Sequence, residues 1–264
     1  MVRRGGGVDD GAVAGNGEKM GSGSLDDAVG PAGATEPEQS ADPCAEPVFR
    51  PRGLVDFRAP GADEGPGDVP PVLSYPAGTV VVVSGLPGSG KSTLLRRWSE
   101  AALVIDPRVV HVACEAVMPA WLPYAVYRPW ARWRYFRWLR AAVDGGRPVL
   151  VHDCGGRPWM RRWLAGRAGR QGRELHLVLL DVGVAEALSG QETRGRRASR
   201  RAFARHRRGL DRLLSALPAR GPRGGTQPVP DLVREAASVV LLDRGSRERV
   251  AAVRFDAASP EGAA

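Results

Sequence analysis

Nine consecutive residues, Gly85-Leu86-Pro87-Gly88-Ser89-Gly90-Lys91-Ser92-Thr93, have the types and spacing to hold a chain of phosphates. They match G-x-x-x-x-G-K-[ST] in full, the pattern of a P-loop. Its glycines let the backbone curl until successive N–H groups face one anion. A helix that follows points its positive end at the same place. Lys91 is placed to reach the β- and γ-phosphates of a nucleoside triphosphate, and the Ser92 hydroxyl to bind magnesium. The chain has one other lysine, Lys19, and draws the rest of its basic charge from arginine. A lysine kept at this point therefore carries weight. The ligand implied is ATP with Mg2+.

Such a loop works between a strand and a helix, and the flanking pattern supplies both. Thr79–Ser84 holds four consecutive valines and reads as a buried strand. A helix is expected over about Lys91–Ala101. Strands at Ala102–Ile105, Pro148–His152, Leu175–Asp181 and Ser238–Leu242 then alternate with helices at Pro129–Val143, Pro158–Gly169, Val184–Thr193 and Ser199–Leu217. Gly145 and Gly146 stop the first of these helices, and Pro158 opens the second. Val109–Met118 fits either type, and Arg249–Phe255 reads as a last strand at the sheet edge. This alternation implies an α/β fold of three layers around a mostly parallel sheet. Ligands of such sheets sit at the carboxyl ends of the strands, where the glycine loop, Asp106 and Asp153 fall.

Residues 1–70 differ from the rest. They carry 13 acidic and 6 basic side chains, a net of about −7, and few aromatics. Such a segment cannot bury enough apolar surface to offset its ordering entropy. The expected organisation is a disordered acidic tail over 1–70, a nucleotide-binding domain over 71–256 and a short tail over 257–264. Val48–Phe57 is the tail's one candidate for local order. With +9 on the whole chain, residues 71–264 carry about +16. Three widely spaced cysteines, Cys44, Cys114 and Cys154, argue against a disulfide framework or a zinc site. No apolar run has the length of a membrane span. The glycines and aspartates after Arg3 and Arg4 are unlike a secretory leader. A cytoplasmic location is expected.

The P-loop is followed by Val104-Ile105-Asp106-Pro107-Arg108, by Leu150-Val151-His152-Asp153, and by Leu179-Leu180-Asp181-Val182 leading to Arg194-Gly195-Arg196-Arg197. In this order the motifs resemble the small P-loop kinases of the polynucleotide-kinase and zeta-toxin type, often grouped as AAA-family ATP-binding proteins. The resemblance covers about residues 79–217. It implies a P-loop NTPase fold and transfer of the ATP γ-phosphate to a hydroxyl acceptor. In that family an aspartate after the second strand accepts the proton of the acceptor hydroxyl, and Asp106 stands in that place. Taken alone, Asp106 is also a turn or helix-entry residue before proline. Asp153 matches a family aspartate near magnesium or acceptor and would hold the metal's water shell, or else cap its strand. The resemblance makes about residues 190–210 a lid, with Arg194, Arg196 and Arg197 over the triphosphate. Arg108 would clamp an acceptor phosphate or face solvent. His152 is expected on the opposite face of its strand from Asp153, in a structural role, and Cys154 is expected to be buried. His206 is expected on a solvated helix face with Arg200, Arg201, Arg205, Arg207 and Arg208. Leu188-Ser189-Gly190-Gln191-Glu192 resembles the signature of transporter ATPases, lacks one of its glycines and reads as coincidence.

Tyr124–Arg140 holds three tryptophans and five arginines. Bases of an acceptor could stack on Trp130 or Trp133, with phosphates on Arg132, Arg134 or Arg137. Alternatively Trp130, Trp133 or Phe136, and Trp138 pack on the sheet at helical spacing. From Arg128 to Arg220 there are 22 arginines against seven acidic residues, which suits a phosphorylated acceptor or nucleic acid. The acidic tail offers the same surface a partner in cis. Two further functions fit the sequence: a P-loop ATPase or nucleotide switch without an acceptor, and a nucleic-acid-binding protein with structural ATP. No Asn-Lys-x-Asp motif points to guanine, and no strand ends in the Asp-Glu pair of hydrolytic ring ATPases.

Overall fold

The structure, a computed structural model, describes residues 47–58, 69–153, 157–193, 195, 199–218 and 225–257. In chain order these form β1 (Val48–Phe49), β2 (Gly53–Asp56), β3 (Val72–Tyr75), β4 (Val80–Gly85), α1 (Lys91–Arg97), β5 (Leu103–Ile105), α2 (Pro107–Glu115) and α3 (Tyr124–Asp144). There follow β6 (Val149–His152), α4 (Pro158–Gly169), β7 (Leu175–Leu180), α5 (Val184–Glu192), α6 (Arg200–Ser215), β8 (Thr226–Gln227), β9 (Ser238–Leu242), α7 (Arg244–Arg249) and β10 (Ala252–Phe255).

Seven strands make the central sheet in the order β5-β6-β4-β7-β9-β2-β8. Its pairings are parallel except the β2–β8 edge. The chain thus has the three-layer α/β fold with a mostly parallel sheet. β4, β7 and β9 are buried along their whole length, as central parallel strands covered on both faces must be. Alternate residues split between two cores. Val80 and Val82 cluster with Tyr135, Leu139 and Val143 of α3 and Leu164 of α4. Val81 and Val83 cluster with Leu94 and Leu95 of α1, and with Trp98. The one-residue alternation of a strand therefore decides which helix layer each valine meets.

A second sheet, β1-β3-β10, has three parallel strands. Leu73, Tyr75 and Val253 carry it into the α1-side core. Arg249–Phe255 was expected as an edge strand of the main sheet. Its first residue instead ends α7, and β10 pairs with β3 in the smaller sheet. The Pro-rich stretch around 70–76 concealed β3.

The N-terminal boundary needs a larger correction. Of the segment expected as a disordered tail, residues 47–58 supply β1 and β2, and β2 is inserted in the main sheet between β9 and β8. Leu54, Val55 and Phe57 are buried. Both strands fall within Val48–Phe57, the stretch of the acidic segment expected to hold local order, and Leu54 pairs with Gln227 and Val239, 173 and 185 residues further along the chain. The described residues thus enter the fold from residue 47, before residue 71. Residues 1–46, 59–68 and 258–264 lie outside the described residues, and the expectations about them with them.

Helix boundaries also moved. α3 starts at Tyr124 and carries Pro129 inside it. The expectation had placed Pro129 at the helix start, because proline suits the first turn. Val109–Met118, ambiguous in sequence, is helical from Pro107, with Asp106 as its N-cap. Among the described residues Cys114 is a free, buried thiol, and no helix is long and apolar enough to cross a membrane.

The N-terminal correction can be tested through Phe57, which is 1% exposed. Phe57→Ala is expected to lower the unfolding free energy by about 3–5 kcal/mol in a denaturant titration, the usual cost of emptying a buried aromatic site. A loss below about 1 kcal/mol would remove this segment from the core.

Candidate functional site

The loop after β4 has the backbone its glycines foretell. Gly88 and Gly90 adopt φ of 93° and 86°, a region that L side chains rarely enter. A Cβ on Gly88 would lie 1.9 Å from the Ala187 carbonyl oxygen, and one on Gly90 would lie 2.5 Å from Nη1 of Arg247. Gly88 therefore excludes a side chain on shape as well as on conformation, while at Gly90 the positive φ is the firm restriction and a side chain would also displace the Arg247 guanidinium.

The loop's carbonyls are matched from outside. Lys91, 3% exposed, donates from Nζ to the carbonyls of Gly85 at 2.9 Å and Leu86 at 2.6 Å. Gln191 of α5 donates to the Pro87 carbonyl at 3.1 Å. Arg247 of α7 donates to the Ser89 carbonyl at 2.6 Å and lies 3.8 Å from Glu186 of α5. The Leu188–Glu192 segment, read from sequence as coincidence, thus supplies the P-loop with a side-chain latch. Gly190 is small because its α-carbon backs onto the Gly88 carbonyl, 2.5 Å from where a Cβ would stand.

The acidic and imidazole groups come from the neighbouring strands. β6 pairs with β4 on one side and β5 on the other. The carboxyl ends of three adjacent strands therefore deliver Gly85, His152–Asp153 and Asp106 to one rim, at strand spacings near 4.8 Å. Asp153 is buried and accepts a hydrogen bond from Ser84 Oγ at 3.4 Å. Asp106 caps α2, its Oδ1 accepting from the Arg108 N–H at 2.9 Å. The helix-entry role foreseen as the alternative is therefore real. It occupies one carboxylate oxygen and leaves the side chain partly open. Arg108 is exposed.

Two histidines are placed differently from expectation. His152 does leave β6 on the opposite face from Asp153, but that face carries α1 and Asp106. Its Nε2 lies 3.4 Å from Ser92 Oγ and its Nδ1 3.9 Å from Asp106 Oδ1. Burial, and then the Lys91 charge, push the imidazole below its ordinary range against the opposing pull of Asp106 and Asp153. A neutral ring can accept the Ser92 hydroxyl hydrogen. His206 was expected on a solvated face. It is half-buried, its Nδ1 has no hydrogen-bond partner among the described residues, and it feels the charges of Asp153 and Lys91. Burial, then Arg205, lowers its pKa. Arg200, Arg201, Arg205, Arg207 and Arg208 are exposed, as expected. Arg194, Arg196, Arg197 and Cys154 lie outside the described residues.

Strand alternation was applied correctly to His152. What the sequence lacked was the knowledge that both faces of β6 open onto the site. Arg247 carried one signal, its position just after the carboxyl end of β9. At the far side of the same rim, Arg58 after β2 joins Asp56 and Asp181 with contacts of 2.7 and 2.6 Å.

A family model described as an AAA domain matches residues 80–218, more than half of the chain. The chain belongs to this AAA domain family. The match runs from β4 through α6, and so includes the P-loop, Asp106, His152 and Asp153. No curated protein matches the chain. Solved structures similar to it include a gluconokinase from Sinorhizobium meliloti, at 18% identity over 67% of this chain and 94% of that one, with a TM-score of 0.38. Shikimate kinase from Acinetobacter baumannii is similar at 16% identity over 65% of this chain and 88% of that one, TM-score 0.38. The PezAT toxin-antitoxin system of Streptococcus pneumoniae includes a similar chain at 14% identity, TM-score 0.38, where 46% of this chain spans 54% of that one. These likenesses are distant.

The oxygen donors present suit magnesium, a hard cation that prefers a hydroxyl, a carboxylate and its own waters. Among the described residues no three His, Cys, Asp or Glu side chains gather into a metal cage.

Arg247→Ala would remove the Ser89 hydrogen bond and the approach to Glu186 together. Affinity for a fluorescent ATP analogue is expected to fall roughly tenfold, with partial recovery in Arg247→Lys, since a charged hydrogen bond contributes about 1.5–3 kcal/mol. Unchanged affinity would mean that the loop keeps its shape without this contact.

Proposed function

We propose that the protein is a magnesium-dependent phosphotransferase that moves the γ-phosphate of ATP to a hydroxyl acceptor. The observation that carries this reading is the convergence of Lys91, Ser92, His152, Asp106 and Asp153 on one rim of the sheet. A hydrolase or switch needs the phosphate cradle. It has less use for a second carboxylate beyond the cradle, two strands away in the sheet.

In this reading the amides of Gly85–Thr93 bind the phosphates, and Lys91 exchanges its carbonyl partners for the β- and γ-phosphate oxygens. Magnesium, when bound, neutralises phosphate charge, with Ser92 as ligand and Asp153 holding its water shell. His152 orients the Ser92 hydroxyl. The free oxygen of Asp106 accepts the proton of the acceptor hydroxyl as its oxygen bonds to the γ-phosphorus and the bond to the β-phosphate oxygen breaks, releasing ADP. Positioning and charge neutralisation of this kind supply most of the catalysis of phosphoryl transfer. Arg194, Arg196 and Arg197 are assigned to the lid on sequence alone and would neutralise the transferring group.

The test is incubation with γ-labelled ATP, magnesium and a panel of nucleic-acid ends, nucleosides, sugars and aminoglycoside-type alcohols. Label on an acceptor, lost in both Lys91→Ala and Asp106→Asn by a factor of about 100 or more, is the expected result. Label found only as free phosphate, lost in Lys91→Ala but kept in Asp106→Asn, would replace the transferase with an ATPase or switch.

A further inference from the structure

α3 settles which of its aromatic residues belong to the core. Its buried row is Tyr127, Ala131, Tyr135, Leu139 and Val143, four residues apart. Phe136 and Trp138 are partly packed. Trp130 and Trp133 face outward, 36% and 55% exposed. Arg134 lies over the Trp130 ring and Arg137 over the Trp133 ring, each at 5.0 Å. Trp159, at the start of α4, is also exposed and stands 5.6 Å from Phe136. Among the described residues Arg128, Arg132, Arg134 and Arg137 make no ion pair with a carboxylate. Arg140 of α3 instead shares Asp144, at the far end of the helix, with Arg167 of α4.

This face combines uncompensated positive charge with flat aromatic rings, and it is not the apolar face of its helix. A bilayer surface would need a continuous apolar stripe. Here guanidinium groups are interleaved with the indoles and stacked on them, so each tryptophan offers a flat layer within a charged row. A protein partner would have to bring both carboxylates and apolar knobs at this spacing. A single nucleic-acid strand brings the complement with every nucleotide, one π-face and one phosphate. At its N-terminal end α3 touches the helix capped by Asp106, where Tyr124 stacks at 4.3 Å on His111 of α2.

We propose that the outward face of α3 binds single-stranded nucleic acid. Bases stack on Trp130 and Trp133, while phosphates pair with Arg134 and Arg137, the guanidinium groups that lie over those rings. This deepens the phosphotransferase reading and rests on it for one point, that a hydroxyl of the bound strand is the acceptor at Asp106. Binding itself does not require ATP.

The experiment uses the full chain without nucleotide, with labelled single-stranded DNA and RNA oligonucleotides, duplex DNA, heparin and anionic phospholipid vesicles. Either single strand is expected to bind with quenching of tryptophan emission, more tightly than duplex, and less tightly as salt rises. Trp130→Ala and Trp133→Ala are each expected to weaken single-strand binding roughly 5- to 100-fold, with partial rescue by phenylalanine, while changing heparin binding by less than about twofold. Arg134→Gln with Arg137→Gln should flatten the salt dependence. Both tryptophans are exposed, and unchanged thermal melting of the variants confirms that the fold persists. The proposal is overturned if the tryptophan variants bind single strands like the parent, if heparin binds as tightly with no role for the rings, or if vesicles bind in preference to oligonucleotides. Because no ATP is present, a negative result leaves transfer to other acceptors standing, and a failure of transfer leaves binding standing.

Discussion

A backbone that turns consecutive amides toward one anion turns its carbonyls outward, and those carbonyls must be matched because they are buried. The surroundings of the P-loop answer that constraint. Gly85 and Leu86 use Lys91, Pro87 uses Gln191, and Ser89 uses Arg247. The partners come from α1, α5 and α7, so the phosphate cradle is tied to three helices at once. The close approach of α5 also fixes a size limit, which is why Gly88 and Gly190 have no room for a side chain.

The second constraint is the strand order. With β5, β6 and β4 adjacent, the groups that follow those strands fall on one rim without any long side chain having to reach across the sheet. His152 then acts as the joint between halves of the rim, between Ser92 behind the P-loop and Asp106 on the next strand but one. Asp153 stands on the other face with Ser84. Two consecutive residues thus serve opposite faces of a strand and still share one site, because the strand ends there.

Several features were legible in residues alone. The P-loop needed only its spacing and an apolar run before it. β9 and α4 were bounded correctly because β-branched valines, an opening proline and closing glycines mark their ends. β2 fell within Val48–Phe57, the expected place of local order, while β3 and β8 were not legible. They are two to four residues long, lie among prolines and glycines, and are strands because distant partners pair with them. The site divided in the same way. Asp106 and Asp153 could be found from their place after strands, but Arg247 and Gln191 act through contacts more than 100 residues away in the chain.

By itself, then, the sequence determined the P-loop, the alternation of strands and helices, and the end of the sheet that carries that loop. These rest on local rules: glycine's freedom, the periods of helix and strand, and the dipole of a helix start. Tertiary structure decided which histidine meets Ser92, which arginine backs the P-loop, and that Trp130 and Trp133 of α3 face outward while Tyr127 and Tyr135 face the core. A helix of crowded aromatics has no unambiguous apolar stripe to read. Only the layer it packs against selects which row is buried, and that selection leaves the other row, with its arginines, free to meet a ligand.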